Sequence, residues 1–298
     1  MGKNNFNINY YIDTEQCAPC QLNKKNGNNK KFKSCYSLES LLNIAKAWNN
    51  HIKKNKSKSS ELININTKSR IQLWTDIQNR LKNKCNNNEL CWKKQDFIKR
   101  LKDVEIELYT FKPNYPKEWV NNKYSWLSTY DIYYVMKQYD KLYDDFVFFG
   151  PIPADCPVDI HCELSKFDIE KMKKNGIYKI GIIYNLDKSN QGGSHWVAMY
   201  IDNKHNEINY YDSYGSLPTP LINKFIKKVV EQYKKLKIDP VVIFNDKRHQ
   251  YKHSECGIYS MNFILERVNG ATMYDISSSP IPDEHMINLR KLFYNIKY

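Results

Sequence analysis

The stretch HQYKHSECGIYSMNFILERV, from His249 to Val268, places one thiol where a polar segment changes into an apolar, helix-like one. Cys256 is followed at once by Gly257, and Gln250 lies six residues before it. The first turn of a helix offers unpaired N–H groups and the positive end of the helix dipole, which favour a thiolate. A side-chain amide on the preceding loop can donate to a developing oxyanion. The pattern predicts Cys256 as a nucleophile and Gln250 as the oxyanion donor, with Gly257 leaving room for substrate.

A cysteine nucleophile also needs a base, and the best candidate is His195. It opens the apparent strand HWVAMYID after the loop QGGS, and Asp212 ends the next apparent strand, in NYYDSYG. A short turn between two neighbouring strands brings their ends together, so we expect Asp212 to orient the imidazole of His195. Taken singly, each of these residues is more often a packing, surface or turn residue. Their combined order is far harder to reach by chance.

The length and composition describe a globular protein. The chain has 298 residues, of which 41% are apolar, enough for one large domain or two modest ones. No apolar run approaches the roughly 20 residues that cross a bilayer, and the N-terminus lacks the apolar core of a signal peptide. We therefore expect no membrane insertion and a soluble protein in a reducing, intracellular compartment.

The charge is distributed unevenly along the chain. Residues 1–125 contain 24 basic and 11 acidic residues, whereas residues 126–298 contain 22 and 21. This asymmetry predicts a basic module over residues 1–120 and a second domain over 121–298. A concentrated positive charge favours DNA or another polyanion as a partner. The alternative is a lysine-rich surface that serves only solubility.

The periodicity differs between the two modules. In the first, an apolar stripe and the cap Ser37 predict a helix over 37–50, and similar patterns predict helices over 68–83 and 92–102. The second alternates helical stripes with short β-branched and aromatic runs such as IYKIGIIYN and HWVAMYID, which indicate strands. The second domain is therefore expected to be α+β, with a short central sheet flanked by helices.

Eight cysteines raise the question of disulfides and metals. In a long chain without a secretory signal, free thiols are the expected state. Cys17, Cys20 and Cys35 could supply three ligands of a zinc site, but no fourth ligand stands at the usual spacing. Buried or idle thiols are the preferred interpretation, and no metal or other cofactor is expected.

Three motifs together resemble a known family. His195-Trp196, Asp212 in YYDSYG, and Gln250 with Cys256-Gly257 in Q-x5-CG resemble the Ulp1-like and adenovirus-protease-like cysteine peptidases. That group includes SUMO-deconjugating enzymes and the polyprotein-processing proteases of large DNA viruses. The resemblance covers roughly residues 120–270 and implies a papain-like, Ulp1-like protease core with a short mixed sheet. It implies His195 as base, Asp212 as its orienting partner, Cys256 as nucleophile and Gln250 as oxyanion donor.

The segment WLSTYDI at 126–132 is similar to the WLND-type segment of the same family. In the family, its tryptophan and the one after the histidine flank a narrow channel that accepts Gly-Gly. The resemblance therefore implies that Trp126 and Trp196 bind substrate and that cleavage follows small residues.

The basic first module is similar to the N-terminal extensions of proteases from African swine fever virus relatives and giant viruses. This similarity implies a thiol protease that processes core or capsid precursors, located at viral assembly sites in the host cytoplasm and in the virion core. A deSUMOylating or deubiquitinating isopeptidase that acts on host conjugates is the alternative.

Two other classes stay open at this point. His249 and His253 have the H-x-x-x-H spacing of zinc peptidases, but Gln250 stands where the general-base glutamate would be, and the segment looks like a loop. A non-catalytic nucleic-acid-binding core protein, with Cys256 merely packed, is the second. Metal analysis would identify the former class, and the reactivity of the thiol would exclude the latter.

Overall fold

The computed structural model describes residues 16–22, 34–55, 61–67, 69–86 and 88–295. These residues form two compact units, one reaching Asn114 and including Asn295, the other spanning Tyr115–Tyr294. The charge distribution predicts a boundary between residues 120 and 121. That the two parts are separate domains with separate roles stays a prediction.

The described part of the first unit is helical. Ser37 caps helix α2 (Leu38–Lys54), its Oγ accepting a hydrogen bond from the Ser40 N–H at 3.0 Å. The helix expected over 92–102 is wrong, because Gln95 adopts an extended conformation with ψ of 135° and separates two one-turn helices. The helices are α1 (Pro19–Leu22), α2 (Leu38–Lys54), α3 (Arg70–Cys85), α4 (Glu89–Trp92) and α5 (Asp96–Lys99), followed by a π-helical turn, Glu105–Tyr109.

The expectation of free thiols is wrong for six of the eight cysteines. Disulfides join Cys17 to Cys35, Cys85 to Cys91, and Cys156 to Cys162. Two of these pairs are only six residues apart, so a local turn is enough to bring the sulfurs together. The first pair also uses two of the three cysteines considered for zinc. Neither Cys20 nor Cys256 belongs to a disulfide, and both are buried.

The second unit is a five-stranded mixed sheet with helices on both faces. The five strands lie side by side in chain order: the first is parallel to the second, the fourth is parallel to the fifth, and the third is antiparallel to both of its neighbours. The elements are α6 (Thr129–Asp140), β1 (Phe146–Pro153), α7 (Ile169–Lys174), β2 (Lys179–Asn185), β3 (Trp196–Asp202), β4 (Glu207–Tyr211), α8 (Pro220–Lys235), β5 (Val241–Phe244), α9 (Cys256–Val268), α10 (Met273–Ser278) and α11 (Asp283–Phe293), with 3₁₀ turns at Lys117–Val120, Cys156–Val158 and Glu163–Lys166.

The alternation of side chains along the strands decides which helix covers which face. One face of the sheet packs in a hydrophobic core with the buried side of α8. The other face carries α9, which comes so close to β2 that a Cβ on Gly181 would lie 2.8 Å from the Ile264 side chain. Tyr211 of β4 stacks on Phe263 of α9 with ring centres 4.7 Å apart. Helix α9 is thereby fixed with its first residue close to the ends of β3 and β4.

Within the described ranges, every helix is too short or too polar to cross a membrane.

Candidate active site

Cys256 is the first residue of α9 and only 3% of its surface is exposed. Gly257 follows it, and a Cβ there would lie 3.0 Å from Leu127 and 3.3 Å from Ile132. The space beside this glycine is therefore filled by core side chains, where the sequence predicts room for substrate. A contact between substrate and the Gly257 backbone stays a prediction.

The structure brings His195 and Asp212 together at the ends of two paired strands. His195 immediately precedes β3 and Asp212 immediately follows β4, and β3 and β4 form an antiparallel hairpin. Nε2 of His195 lies 2.7 Å from Oδ1 of Asp212, which is itself 1% exposed. A buried carboxylate at this distance fixes both the tautomer and the orientation of the ring.

The electrostatics of His195 are dominated by these neighbours. Burial alone would lower its pKa, but the hydrogen bond with Asp212 and the hydrogen bond and charge of Cys256 outweigh burial and raise the pKa to about 9. The imidazole therefore interacts with both the thiol and the carboxylate. This arrangement allows a proton to pass between sulfur and ring while the carboxylate stabilises the imidazolium.

The turn Asp212-Ser213-Tyr214-Gly215 holds several of these groups. The Tyr214 N–H donates to Oδ1 of Asp212 at 2.9 Å, and the Gly215 N–H donates to the Asp212 carbonyl at 2.8 Å. Gly215 has φ of +75°, and a Cβ there would lie 2.8 Å from the carbonyl carbon of Lys247. Only glycine fits this position without strain.

Gln250 is fully buried, and both ends of its amide are engaged. Its Oε1 accepts from Oγ of Ser213 at 2.6 Å, and its Nε2 donates to the Lys252 carbonyl at 2.7 Å. Because an amide nitrogen carries two hydrogens, these bonds orient the group and leave one N–H for a further acceptor. An oriented amide on the loop before a nucleophile is suited to stabilise an oxyanion.

Glu255, the residue before Cys256, forms a buried ion pair with α11. Glu255 is 0% exposed and Arg290 is 4% exposed. Nε of Arg290 lies 3.0 Å from Oε2 of Glu255, and its Nη2 contacts Oε1 as well. Asp283, at the start of the same helix, accepts the N–H groups of Tyr251 and Lys252 at 2.9 Å each. Helix α11 therefore fixes both the loop of Gln250 and the start of α9.

Trp196 and Trp126 differ in exposure. Trp196 is 6% exposed, and its Nε1 donates to the Leu127 carbonyl at 3.0 Å, whereas Trp126 is 50% exposed. Trp196 thus contacts the backbone next to Trp126. In the part of the chain that the structure covers, no ring contact joins the two indoles. A substrate slot between them stays a prediction.

Several residues of this region escaped the sequence analysis. Ser213, Glu255, Asp283 and Arg290 contact partners more than 30 residues away in the chain, so their spacing carries no signal. Tyr214 is the clearest omission, since its ring stacks on His195 with centres 4.6 Å apart. Its place beside Asp212 in DSYG could have drawn attention to it.

The two histidines of the zinc-peptidase alternative, His249 and His253, lie in different environments. Nδ1 of buried His249 is 2.9 Å from the Tyr211 hydroxyl, and His253 is exposed. Over the described ranges, no group of three or more His, Cys, Asp or Glu side chains is arranged to hold a metal ion.

A buried thiol at a helix start, beside a histidine and an aspartate on two paired strand ends of a mixed sheet, defines a cysteine protease of the Ulp1 type. Residues 179–298 match the Ulp1 protease family, C-terminal catalytic domain. A protein of Acanthamoeba polyphaga mimivirus that is named as a thiol protease is 32% identical over 291 residues, which cover 93% of this chain and 92% of the relative. The chain belongs to the Ulp1 protease family, and it is a cysteine protease.

African swine fever virus provides two further comparisons. One of its proteins, named SUMO-1 cysteine protease, is 29% identical over 130 residues, covering 42% of this chain and 47% of the relative. The crystal structure of a protease from this virus aligns with a TM-score of 0.63 at 21% identity, over 97% of this chain and 99% of that one. The structural likeness establishes the fold, and the expected Ulp1-like architecture is confirmed.

Proposed function

We propose that the protein is a thiol endopeptidase that cleaves viral core or capsid precursors after small, Gly-Gly-like residues during virion maturation. The observation that carries this proposal is the position of the His195 ring, which interacts with Cys256 and with Asp212 at 2.7 Å. A thiol in this arrangement attacks carbonyl carbons, and the family acts on peptide bonds.

In the proposed reaction, His195 takes the proton of the Cys256 thiol, and the sulfur attacks the carbonyl carbon of the scissile bond. The free N–H of Gln250 donates to the oxygen that becomes negative in the tetrahedral intermediate. The imidazolium then protonates the leaving amine, and an acyl-enzyme thioester remains. Water then attacks the thioester carbonyl while His195 takes its proton, the C–S bond breaks to release the carboxylic acid product, and His195 returns the proton to the Cys256 sulfur. Asp212 keeps its charge throughout and stabilises the imidazolium.

The preference for small residues rests on Trp126 and Trp196. The Trp196 indole is held by the Leu127 carbonyl at 3.0 Å, so it is a rigid wall beside His195. We propose that the half-exposed Trp126 forms the opposite wall of a slot that admits only chains without side chains. A leucine in place of the second glycine would then be excluded by a steric clash.

The viral setting is supported by the relatives from mimivirus and African swine fever virus. We propose the assembly sites in the host cytoplasm and the virion core as the location. Exposed lysines of the first unit, such as Lys53, Lys54, Lys82 and Lys84, support binding to DNA or another polyanion. Such binding would hold the protease near its substrates and raise the effective concentration of cleavable bonds.

A deSUMOylating or deubiquitinating activity is the second candidate, and one observation favours it: the African swine fever virus relative is named SUMO-1 cysteine protease. The two functions differ in substrate and share the chemistry of Cys256.

The test incubates the protein with candidate viral precursors carrying Gly-Gly sites, and in parallel with SUMO and ubiquitin conjugates. Precursor cleavage that ends at Gly-Gly and is absent from Cys256→Ala would support the maturation protease. A precursor with Gly-Leu at the same site is the matched control and should stay uncut. Cleavage of the conjugates alone would replace the first function with the second, and equal activity in Cys256→Ala would contradict both.

A further inference from the structure

Arg248 has an unusual setting for an exposed arginine. It lies on the loop between β5 and α9, and its guanidinium carbon is 5.2 Å from the ring centre of Tyr214 and 5.0 Å from that of Tyr251. Its Nε donates to the Gln250 carbonyl at 2.8 Å. Two aromatic faces and one backbone bond therefore fix a side chain that would otherwise sample many rotamers.

The positive charge of Arg248 is not neutralised by this setting. Two acidic residues of the same region have other partners: Asp283 accepts two backbone N–H groups, and Glu284 pairs with Lys252. None of the ion pairs in the described part of the chain includes Arg248, and its one hydrogen bond uses Nε. The Nη side of the guanidinium is consequently available to a ligand.

The position of Arg248 relates it directly to the catalytic groups. The Tyr214 ring stacks on His195 with centres 4.6 Å apart and an angle of 14° between the planes, while the guanidinium lies 5.2 Å from the same tyrosine ring. Burial, and then the charge of Cys256, raises the pKa of the Tyr214 hydroxyl, so this tyrosine also senses the thiol. The Tyr214 ring thus links His195 to the guanidinium through two short contacts. An extended chain advances about 3.3 Å per residue, so a substrate residue up to about three positions from the scissile bond can place its side chain next to Arg248.

We propose that Arg248 is a specificity-determining residue that binds the carboxylate of an Asp or Glu lying within three residues of the cleaved bond. The planar guanidinium matches a carboxylate with two parallel hydrogen bonds, a geometry that lysine cannot provide. Tyr214 and Tyr251 supply the preorganisation, which reduces the entropy lost on binding. The inference rests on the proposed endopeptidase function and names a substrate feature beyond the small residues at the cleavage site.

The experiment measures kcat/KM for a series of Gly-Gly peptides that carry Glu, Gln or Lys at each of the three positions on either side of the bond. At one or more positions, the protein should prefer Glu over Gln by about tenfold, the size of one charge-assisted interaction at a partly exposed site. Arg248→Gln should remove this preference, and Arg248→Glu should invert it in favour of Lys. Arg248→Lys should retain only part of it.

Lys247 provides the matched control, because it is an exposed cation adjacent in the chain and has no ring contact among the described residues. Lys247→Gln should leave the preference for Glu unchanged. A preference that falls equally in Lys247→Gln and Arg248→Gln would reduce the effect to general surface charge and overturn the proposal. So would cleavage of the Glu, Gln and Lys peptides at equal rates.

Peptide binding to Cys256→Ala, followed by fluorescence anisotropy, separates this inference from the proposed function. Tighter binding of the Glu peptides that depends on Arg248, without cleavage by the native protein, would support the site and refute Gly-Gly cleavage. Cleavage with no dependence on Arg248 would refute the site alone. Absence of both binding and cleavage would overturn both.

Discussion

The buried pair of Glu255 and Arg290 should be the most sensitive point of the catalytic domain outside the reacting groups. In Arg290→Met the carboxylate loses both guanidinium contacts, one of which is the 3.0 Å bond from Nε to Oε2. It keeps only the Ser254 hydroxyl, which donates to Oε1 at 2.8 Å. Methionine is flexible enough to fill the volume against Trp119, whose ring centre lies 4.0 Å from the guanidinium carbon.

The size of the stability loss follows from the burial of the Glu255 carboxylate that remains. Glu255 is 0% exposed, so the unpaired carboxylate can neither hydrate nor easily find another partner. Removing one partner of such a pair costs about 3–5 kcal/mol, whereas removing both charges is often close to neutral. We expect Arg290→Met to lower the free energy of unfolding by about 3–5 kcal/mol, and Glu255→Gln with Arg290→Met to recover about half or more of that loss.

Cys256 provides a second measurement, since it follows Glu255 directly. An uncompensated negative charge beside the nucleophile opposes formation of a thiolate, so alkylation of Cys256 at neutral pH should slow in Arg290→Met. The rate should return toward the native value in the double variant. Urea unfolding followed by tryptophan fluorescence gives the stability, and alkylation under native conditions gives the reactivity.

A double-mutant cycle measures the coupling energy between Glu255 and Arg290. If the two single substitutions add without coupling, or if Arg290→Met costs less than about 1 kcal/mol, the pair is not the buried, mutually dependent contact described above. Unchanged alkylation in a destabilised Arg290→Met variant would show that the pair stabilises α9 without influencing the nucleophile.

Three further predictions concern other groups. The pKa of His195 is raised to about 9, so protonation of this residue should stabilise the folded state fully below its ordinary pKa of 6.5. This stabilisation should be lost as the pH rises through about 9. An NMR titration midpoint near 6.5, or a midpoint that Asp212→Asn leaves unchanged, would contradict the prediction. Gln250→Ala should lower kcat by about 10²–10³ with little change in KM, and exposed His253→Ala should have little effect; a reversed order would place the oxyanion donor elsewhere. The full chain should bind duplex DNA with an affinity that falls steeply as the salt concentration rises. Replacing Lys53, Lys54, Lys82 and Lys84 by glutamine should weaken this binding. An affinity that does not depend on salt would mean that these lysines serve only solubility.

The positions of the reacting side chains could be expected from sequence because they depend on local geometry. His195 and Asp212 flank two strands joined by a short turn, and a hairpin necessarily brings such residues together. Cys256 stands where the apolar periodicity begins, which is where α9 starts. The contact between His195 and Asp212 spans only 17 residues of chain, a distance over which strand periodicity remains informative, whereas the approach of Cys256 to His195 needed the family resemblance.

The supporting contacts could not be expected, because they join segments that are distant in sequence. Ser213 lies 37 residues from Gln250, and Glu255 lies 35 residues from Arg290. A serine in a turn or an arginine on an amphipathic helix has no spacing that identifies its partner. The expectation of free thiols was wrong for a different reason. It rested on the expected cellular compartment and did not consider the local turns that bring Cys85 and Cys156 to their partners.

The turn Asp212–Gly215 contacts both His195 and Gln250, which lie far apart in the sequence. Asp212 is hydrogen-bonded to His195, the proposed base, and the next residue, Ser213, holds Gln250, the proposed oxyanion donor. The Ser213 hydroxyl donates to Oε1 of Gln250 at 2.6 Å, and the Ser213 carbonyl accepts the Gln250 backbone N–H at 2.8 Å. Gly215 closes the turn against the backbone of Lys247, where a Cβ would not fit. The orientation of His195 and that of the Gln250 amide consequently depend on one rigid four-residue segment. The sequence DSYG is therefore a structural requirement of the site as a whole, in addition to the carboxylate that it supplies to the histidine.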